Sequence, residues 1–267
     1  NFIVLVPEQF TMQTQKDLVS MHPRHGIMNI DVLSFARLAY RVFEETGTKQ
    51  MQVLDDEGKN LILRKIAGDY ENKLTVLKGN IKKLGYISEV KSVISEFTQY
   101  DIGEEEMDEM LDHLDEDSRL YYKLKDIRLL YEGFQDYLRE RYITKEELLD
   151  VLNSQVKESE LLKNSVVVLD GFTGFTPVQN RLLAELMKLA RDVIVTVTID
   201  AREDPYRYTD ACQMFGMSKH TVTTLTRIAR ACGVEQTEPV WLKKRPFYPS
   251  GGGKDAKKAP EQALRRL

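Results

Sequence analysis

The N-terminal part of the chain alternates short apolar runs with segments of helical periodicity. The run Phe2-Ile-Val-Leu-Val6 predicts a strand buried in a parallel sheet, because such strands are apolar on both faces. A helix is predicted over Glu8–Met21 and a second strand over Ile30–Leu33. Ser34 is placed to cap a further helix that ends at Gly47. This order of elements predicts an α/β sheet.

Between residues 55 and 160 the apolar positions recur at helical spacing, with hardly any strand pattern. The segment therefore predicts an inserted, all-helical subdomain. Within it, Thr144-Lys-Glu-Glu147 has the form of a capping box that opens a helix toward Val156. The acidic run from Asp101 to Asp117 carries methionines and leucines at helical spacing, which indicates a solvated helix face; metal binding is the less favoured alternative.

The α/β pattern resumes after the insertion. The remaining predicted elements are a strand over Ser165–Leu169 that ends in Asp170, a helix from about Pro177, a strand over Arg191–Ile199, a helix over Met217–Cys232 stopped by Gly233, and a strand over Val234–Val240. We therefore expect a helicase-like parallel sheet of the phosphate-loop NTPase type, split in sequence by the insertion. The boundaries are 1–54 and 161–248 for the two parts of the α/β domain, 55–160 for the insertion, and 249–267 for a basic linker or the start of a next element.

The composition argues against a membrane protein and against a secreted, disulfide-bonded protein. The chain is 42% hydrophobic and 30% charged, and no apolar run is long enough to span a bilayer, so we expect no membrane association. No signal peptide is predicted, and Cys212 and Cys232 are too few for a disulfide framework or a zinc site, which favours the cytoplasm. The net charge of -4 argues against coating nucleic acid by overall positive charge but leaves room for a local groove.

Asp170, at the end of an apolar strand, has the setting of the second nucleotide-binding motif of phosphate-loop ATPases, which helps to hold magnesium. The alternative is ordinary loop capping. The following residue is Gly171, where active motors usually place a second carboxylate. A glycine-rich loop with Lys-Ser/Thr is absent, since Gly251-Gly-Gly-Lys254 precedes Asp255. We expect that loop upstream of Asn1, and we assign no catalytic residue and no metal ligand.

Polar and aromatic residues follow the predicted strands, where the ends of parallel strands line one crevice. They suit single-stranded nucleic acid, because bases stack on rings while Arg and hydroxyls meet phosphates. The alternative is that Phe35 and Tyr40 are helix core. The candidates are Gln9, Thr11, Phe35, Arg37, Tyr40, Phe172 and Phe175.

Four ordered blocks resemble the AddB subunits of Gram-positive bacteria, the B subunits of AddAB-type helicase-nucleases. They are Val4-Leu-Val-Pro-Glu-Gln-Phe-Thr11, Val32-Leu-Ser-Phe-Ala-Arg-Leu-Ala-Tyr-Arg-Val42, Ile94-Ser-Glu-Phe-Thr-Gln-Tyr-Asp101 and Leu169-Asp-Gly-Phe-Thr-Gly-Phe-Thr-Pro177.

The resemblance implies a subunit that works with an A subunit (AddA) on DNA ends and scans single-stranded DNA for a recombination hotspot. It implies ATP and magnesium at an upstream loop, and an iron-sulfur cluster and magnesium in a C-terminal nuclease region, none of them in this segment. Asp170 would keep a vestigial nucleotide role. Two alternatives stay open: a truncated superfamily 1 helicase motor, and an interaction module that docks the A subunit. By the resemblance, the DNA-reading positions are Gln9, Thr11, Phe35, Arg37, Tyr40 and Phe172.

Overall fold

The computed structural model describes residues 1–47, 52–81, 83–139 and 142–242. The chain divides into two compact units. Unit 1 comprises Asn1–Leu38, Glu160–Gly174 and the described residues from Leu186 onward, and unit 2 comprises Ala39–Ser159 and Phe175–Glu185.

The strands of the described residues form one sheet in each unit. They are β1 (Phe2–Leu5), β2 (Ile30–Leu33), β3 (Gln52–Leu54), β4 (Tyr142–Thr144), β5 (Val166–Leu169) and β6 (Asp192–Val195). In unit 1 the order is β2-β1-β5-β6, and every neighbouring pair is parallel. The predicted α/β class with a parallel sheet is confirmed.

The central strand of unit 1 is β1, and its pattern explains its position. Ile3 and Leu5 are fully buried, as are Val167 and Leu169 on the adjacent β5. The two strands align Phe2 with Val166 at one end and Leu5 with Leu169 at the other. Predicted strands β1, β2 and β5 are confirmed because each is an apolar run with a neighbour on which to pair.

Two strand predictions at the far side of unit 1 need correction. The strand predicted over Arg191–Ile199 is shorter in the structure and comprises only β6, Asp192–Val195. It ends there because β5 ends at Leu169, whose carbonyl oxygen accepts the last hydrogen bond, from Thr196 N. The strand predicted over Val234–Val240 is wrong: these residues have no strand conformation, and most are exposed. Polar side chains and Pro239 leave this stretch without an apolar face to bury.

The helices of the described residues follow the predicted order. They are α1 (Thr11–Met21), α2 (Phe35–Thr46), α3 (Asp56–Asp69), α4 (Leu84–Gln99), α5 (Glu104–Asp112), α6 (Arg119–Leu138), α7 (Leu148–Gln155), α8 (Glu160–Lys163), α9 (Pro177–Leu189) and α10 (Gly216–Ala231). Ser34 caps α2 by accepting a hydrogen bond from Arg37 N at 3.4 Å. Gly233, with φ of 68°, stops α10 as predicted. None of these helices is long and apolar enough to cross a membrane.

Unit 2 is held by one apolar core between α3, α4, α5 and α6. Leu63 and Ile66 of α3 pack with Ile94, Met107 and Phe134, all of them buried. Met107 is fully buried while the acidic residues around it on α5 are exposed, which confirms the prediction of a solvated helix face. Among the described residues, no group of three or more His, Cys, Asp or Glu side chains could hold a metal ion.

One feature of unit 2 departs from an all-helical insertion. Strand β4 lies inside the inserted segment and pairs in parallel with β3, aligning Val53 with Ile143. Three-residue strands are too short to produce a periodic signal, so the pattern did not predict them. The capping box is confirmed: Thr144 N donates to Glu147 Oε2 at 2.8 Å, and Glu147 N donates to Thr144 Oγ1 at 3.2 Å.

Candidate nucleic-acid interface

The carboxyl ends of β2, β1, β5 and β6 meet at one edge of the unit 1 sheet, because all four strands are parallel. The hydrogen-bond ladder continues one residue beyond the strands at this edge. Asp170 N donates to Leu5 O at 2.9 Å, and Thr196 N donates to Leu169 O at 2.9 Å. The segments that follow each strand are therefore fixed beside one another.

An aromatic pair forms at this edge from two of the predicted residues. The rings of Phe35 and Phe172 have centroids 5.4 Å apart and planes tilted by 51°. Phe35 follows β2 and is 7% exposed, whereas Phe172 follows β5 and is half-buried. Phe35 is thus a core residue that supports Phe172, and Phe172 presents the accessible ring surface.

The segment that carries Phe172 is held by two hydrogen bonds, and its turn at Gly171 has a positive φ. Asp170 accepts a hydrogen bond from the Thr196 hydroxyl, at the end of β6. Gly171 has φ of 77°, and a Cβ there would lie 3.7 Å from Pro7 Cδ. The Thr221 hydroxyl of α10 lies 3.2 Å from the carbonyl oxygen of Thr173 and 2.9 Å from that of Met217, in its own helix.

Thr196 and Thr221 were not predicted as members of the site. Thr196 lies in the apolar and β-branched run after Asp192, where a threonine is typical of a strand and does not indicate a site. The one signal in the sequence is that Thr196 directly follows the strand that pairs with the strand before Asp170. The position of Thr221 depends on how α10 packs, which no local pattern encodes.

The remaining predicted residues differ in exposure. Gln9, in a turn of 3-10 helix over Glu8–Phe10, is exposed. Thr11 is 4% exposed, and its hydroxyl donates to Glu8 O at 3.0 Å, so it closes that turn. Arg37 is exposed in the first turn of α2, and within the described chain its guanidinium has no ion pair. Tyr40 is 39% exposed and lies among the residues of α2 that belong to unit 2.

Two basic groups beyond β6, Arg202 and Lys219, are paired internally, unlike Arg37. The Arg202 guanidinium bonds to the Asp200 carboxylate at 2.8 and 3.0 Å, and these hydrogen bonds lower the pKa of Asp200 to about 2. The buried Lys219 bonds to Glu203 at 2.7 Å. Arg37 is therefore available to an external anion in a way that Arg202 and Lys219 are not.

The groups at this edge do not fit a nucleoside triphosphate with magnesium. The turn after β1 is Pro7-Glu-Gln-Phe10, which has neither a glycine to approach phosphates nor a lysine to pair with them. The Asp170 carboxylate is engaged by Thr196, and Gly171 follows it. The edge instead carries the partly exposed ring of Phe172, the amide of Gln9 and the guanidinium of Arg37. These groups can bind a ligand but do not cleave bonds.

The sequence is similar to known proteins of one family. The family described as "ADDB, N-terminal" matches residues 1–251. The B subunit of the ATP-dependent helicase/deoxyribonuclease of Lachnoclostridium phytofermentans is 44% identical over 90% of the chain and 21% of the relative. The same-named proteins of Clostridium kluyveri and Alkaliphilus oremlandii are 36% and 34% identical, over 93% and 87% of the chain.

The chain spans only about a fifth of these relatives, covering 21%, 21% and 20% of their lengths. The family match nevertheless extends over all of the described residues, from β1 through α10 and on to residue 242. The four blocks noted in the sequence lie within this matched range. The chain therefore belongs to the AddB family and corresponds to its N-terminal part.

Proposed function

We propose that this chain is the helicase-like, non-motor N-terminal part of the B subunit of a helicase-nuclease and that the sheet edge of unit 1 binds single-stranded DNA. The observation that carries this proposal is the Phe35–Phe172 pair, with rings 5.4 Å apart and the outer ring accessible. A buried ring behind an accessible one gives a base a firm surface on which to stack.

The chemistry favours a single strand over a duplex. Bases of a single strand are free to stack on an aromatic side chain, and each such contact contributes about 1–3 kcal/mol. For a phosphate, Arg37 supplies a guanidinium that has no ion pair with any described residue. Gln9 supplies an exposed amide for a base edge or the backbone. Thr11 serves the site by fixing the turn that carries Gln9, because its own hydroxyl is already engaged.

In the complete protein, this edge scans the strand for a recombination hotspot during double-strand break processing and recombinational repair in the cytoplasm. The relatives are named as subunits of an ATP-dependent helicase/deoxyribonuclease. We further propose that the partners are an A subunit (AddA) and DNA ends. In this proposal ATP and magnesium bind at a loop upstream of this segment, and an iron-sulfur cluster and magnesium lie in a C-terminal nuclease region. Asp170 is the remnant of a nucleotide site and now has a structural role.

A motor role is less well supported. A helicase motor holds ATP on a glycine-rich loop and uses a carboxylate to position the attacking water. Here the turn after β1 lacks such a loop, and Gly171 follows Asp170. The edge has the groups to hold a strand but not those to hydrolyse ATP.

The test is the binding of fluorescent single-stranded DNA, followed by anisotropy at several salt concentrations. We expect an Arg37→Ala, Phe172→Ala double variant to lose at least about tenfold in affinity. Its slope of log affinity against log salt should fall by about 0.7 for each phosphate contact removed. A Tyr100→Ala, Lys145→Ala variant, which removes one exposed ring and one exposed cation from unit 2, is the matched control.

The alternative outcomes are equally informative. An equal loss in the control variant would show that binding is nonspecific and would overturn the assignment of this edge. Absence of binding by the unaltered chain would favour the interaction module, in which this segment docks the A subunit.

A further inference from the structure

A cleft of about 520 Å³ opens in unit 2 between α5, the start of α6 and residues 73–75. This volume is within the range of about 300–1,000 Å³ typical of small-ligand sites. The cleft lies entirely in unit 2 and shares no residue with the proposed DNA site.

One wall of the cleft is held in place by a buried carboxylate. Asp126 is 2% exposed and accepts hydrogen bonds from Thr75 N at 2.9 Å and from Leu77 N at 2.8 Å. It also accepts one from the Thr75 hydroxyl at 3.0 Å. Asp126 is thus fully engaged in fixing the segment that carries Lys73, and the wall is formed before any ligand arrives.

The charges of the cleft are partly cancelled internally. Arg128 bonds to Asp108 at 2.8 Å, which removes one cation and one anion from the total available to a ligand. Four lining charges have no ion pair within the described part of the chain: Lys73, Lys125, Asp112 and Asp126. The Asp126 carboxylate is buried and hydrogen-bonded, whereas the other three side chains are exposed. No glutamate of α5 lines the cleft. The exposed charge available to a ligand is therefore two ammonium groups against one carboxylate.

Two tyrosines supply an aromatic surface beside these charges. The rings of Tyr121 and Tyr122 meet edge to face, with centroids 5.4 Å apart. Tyr122 is 38% exposed, and Lys125 Nζ lies 5.8 Å from the centroid of the Tyr121 ring. Leu111 and Leu129 add apolar lining.

We propose that this cleft binds a nucleotide. The base stacks on the tyrosine rings, its phosphate is held by Lys73 and Lys125, and Asp112 accepts a hydrogen bond from an amino group of the base. A lone phosphate would leave the rings unused, and a basic peptide would meet two lysines. The nucleotide is either free or part of a single strand.

The test is equilibrium dialysis of the chain against dAMP, with and without excess single-stranded oligonucleotide. A Lys73→Gln, Lys125→Gln variant removes both ammonium groups, and Tyr122→Ala removes the exposed ring. We expect each to weaken dAMP binding by about tenfold, the lysine variant through loss of charge-assisted contacts to the phosphate and Tyr122→Ala through loss of a stacking contact. A Lys78→Gln, Lys123→Gln variant has the same change in net charge at exposed positions outside the cleft and should bind as the unaltered chain does. Circular dichroism of every variant verifies folding.

Competition identifies the source of the nucleotide. If the oligonucleotide displaces dAMP, and the cleft variants weaken its binding too, the cleft holds a nucleotide of a strand; if it does not displace dAMP, the ligand is a free nucleotide. No dAMP binding by the folded, unaltered chain overturns the proposal, and so does equal weakening in the control variant. Arg37 and Phe172 are intact in all of these variants, so failure here is distinct from failure of the proposed function.

Discussion

Lys59 of unit 2 and Arg37 of unit 1 are charged groups in opposite settings. In unit 2, Lys59 is 2% exposed and its ammonium lies 2.7 Å from a carboxylate oxygen of Glu146, whose side chain is 11% exposed. In unit 1, Arg37 and Gln9 stand exposed at the sheet edge, and Arg37 has no ion pair within the described chain. A buried charge must be paired or it destabilises the fold, whereas an exposed one is solvated and stays available to a ligand.

Because of this difference, the residues that stabilise the fold are not the residues that bind DNA. Substitutions at the buried pair of unit 2 should change the free energy of unfolding and leave the chemistry of the sheet edge intact. Substitutions at the edge should change affinity for DNA with a smaller effect on unfolding.

The largest effect is expected at the buried ion pair. Lys59→Met leaves the Glu146 carboxylate without its partner and should lower the free energy of unfolding by about 3 kcal/mol. Urea unfolding followed by circular dichroism measures the change. Lys145→Met, at an exposed lysine of the same unit, is the control and should change stability by less than about 0.5 kcal/mol. A small effect of Lys59→Met would show that the Lys59–Glu146 ion pair does not stabilise the fold.

The next effect concerns affinity. Phe172→Ala removes the accessible ring of the aromatic pair and should weaken binding of single-stranded DNA by roughly 2 kcal/mol, within the range for a base-stacking contact. Anisotropy at constant salt measures it. Phe172→Tyr retains the stacking surface and should bind nearly as well as the unaltered chain. Equal losses for the two variants would contradict a stacking role.

The sequence predicted the elements that local chemistry determines. Strands β1, β2 and β5 are apolar runs, and the Thr144–Glu147 capping box is a four-residue pattern. Phe35 and Phe172 were selected because both are aromatic residues that follow strands and because the AddB resemblance places DNA-reading positions there. The parallel sheet then brings them together. The Thr196–Asp170 bond was not predicted, because it depends on which strand lies beside β5. The β3–β4 pair was missed for a different reason, since each strand is too short to have a pattern of its own.

A smaller effect is expected where the edge is anchored. Thr196→Val removes the hydroxyl that donates to Asp170 and should lower the free energy of unfolding by about 1 kcal/mol, because the bond is at the surface. The segment carrying Phe172 is then less restrained, so DNA affinity should fall as well. Thr198→Val, two residues along the same exposed stretch, is the matched control. If both valine variants behave alike, Thr196 does not position the ring.

The smallest effect is on the dependence of stability on pH. Burial raises the pKa of Glu146, but the hydrogen bond and charge of Lys59 outweigh burial and lower it below the ordinary value of 4.5. A group whose pKa is lowered by folding contributes stability above its unfolded pKa and loses it as pH falls through the folded pKa. Urea unfolding of the unaltered chain should therefore show a decline below about pH 4.5 that a Glu146→Gln variant shows less steeply. Parallel declines would mean that Lys59 does not favour the ionised form of Glu146.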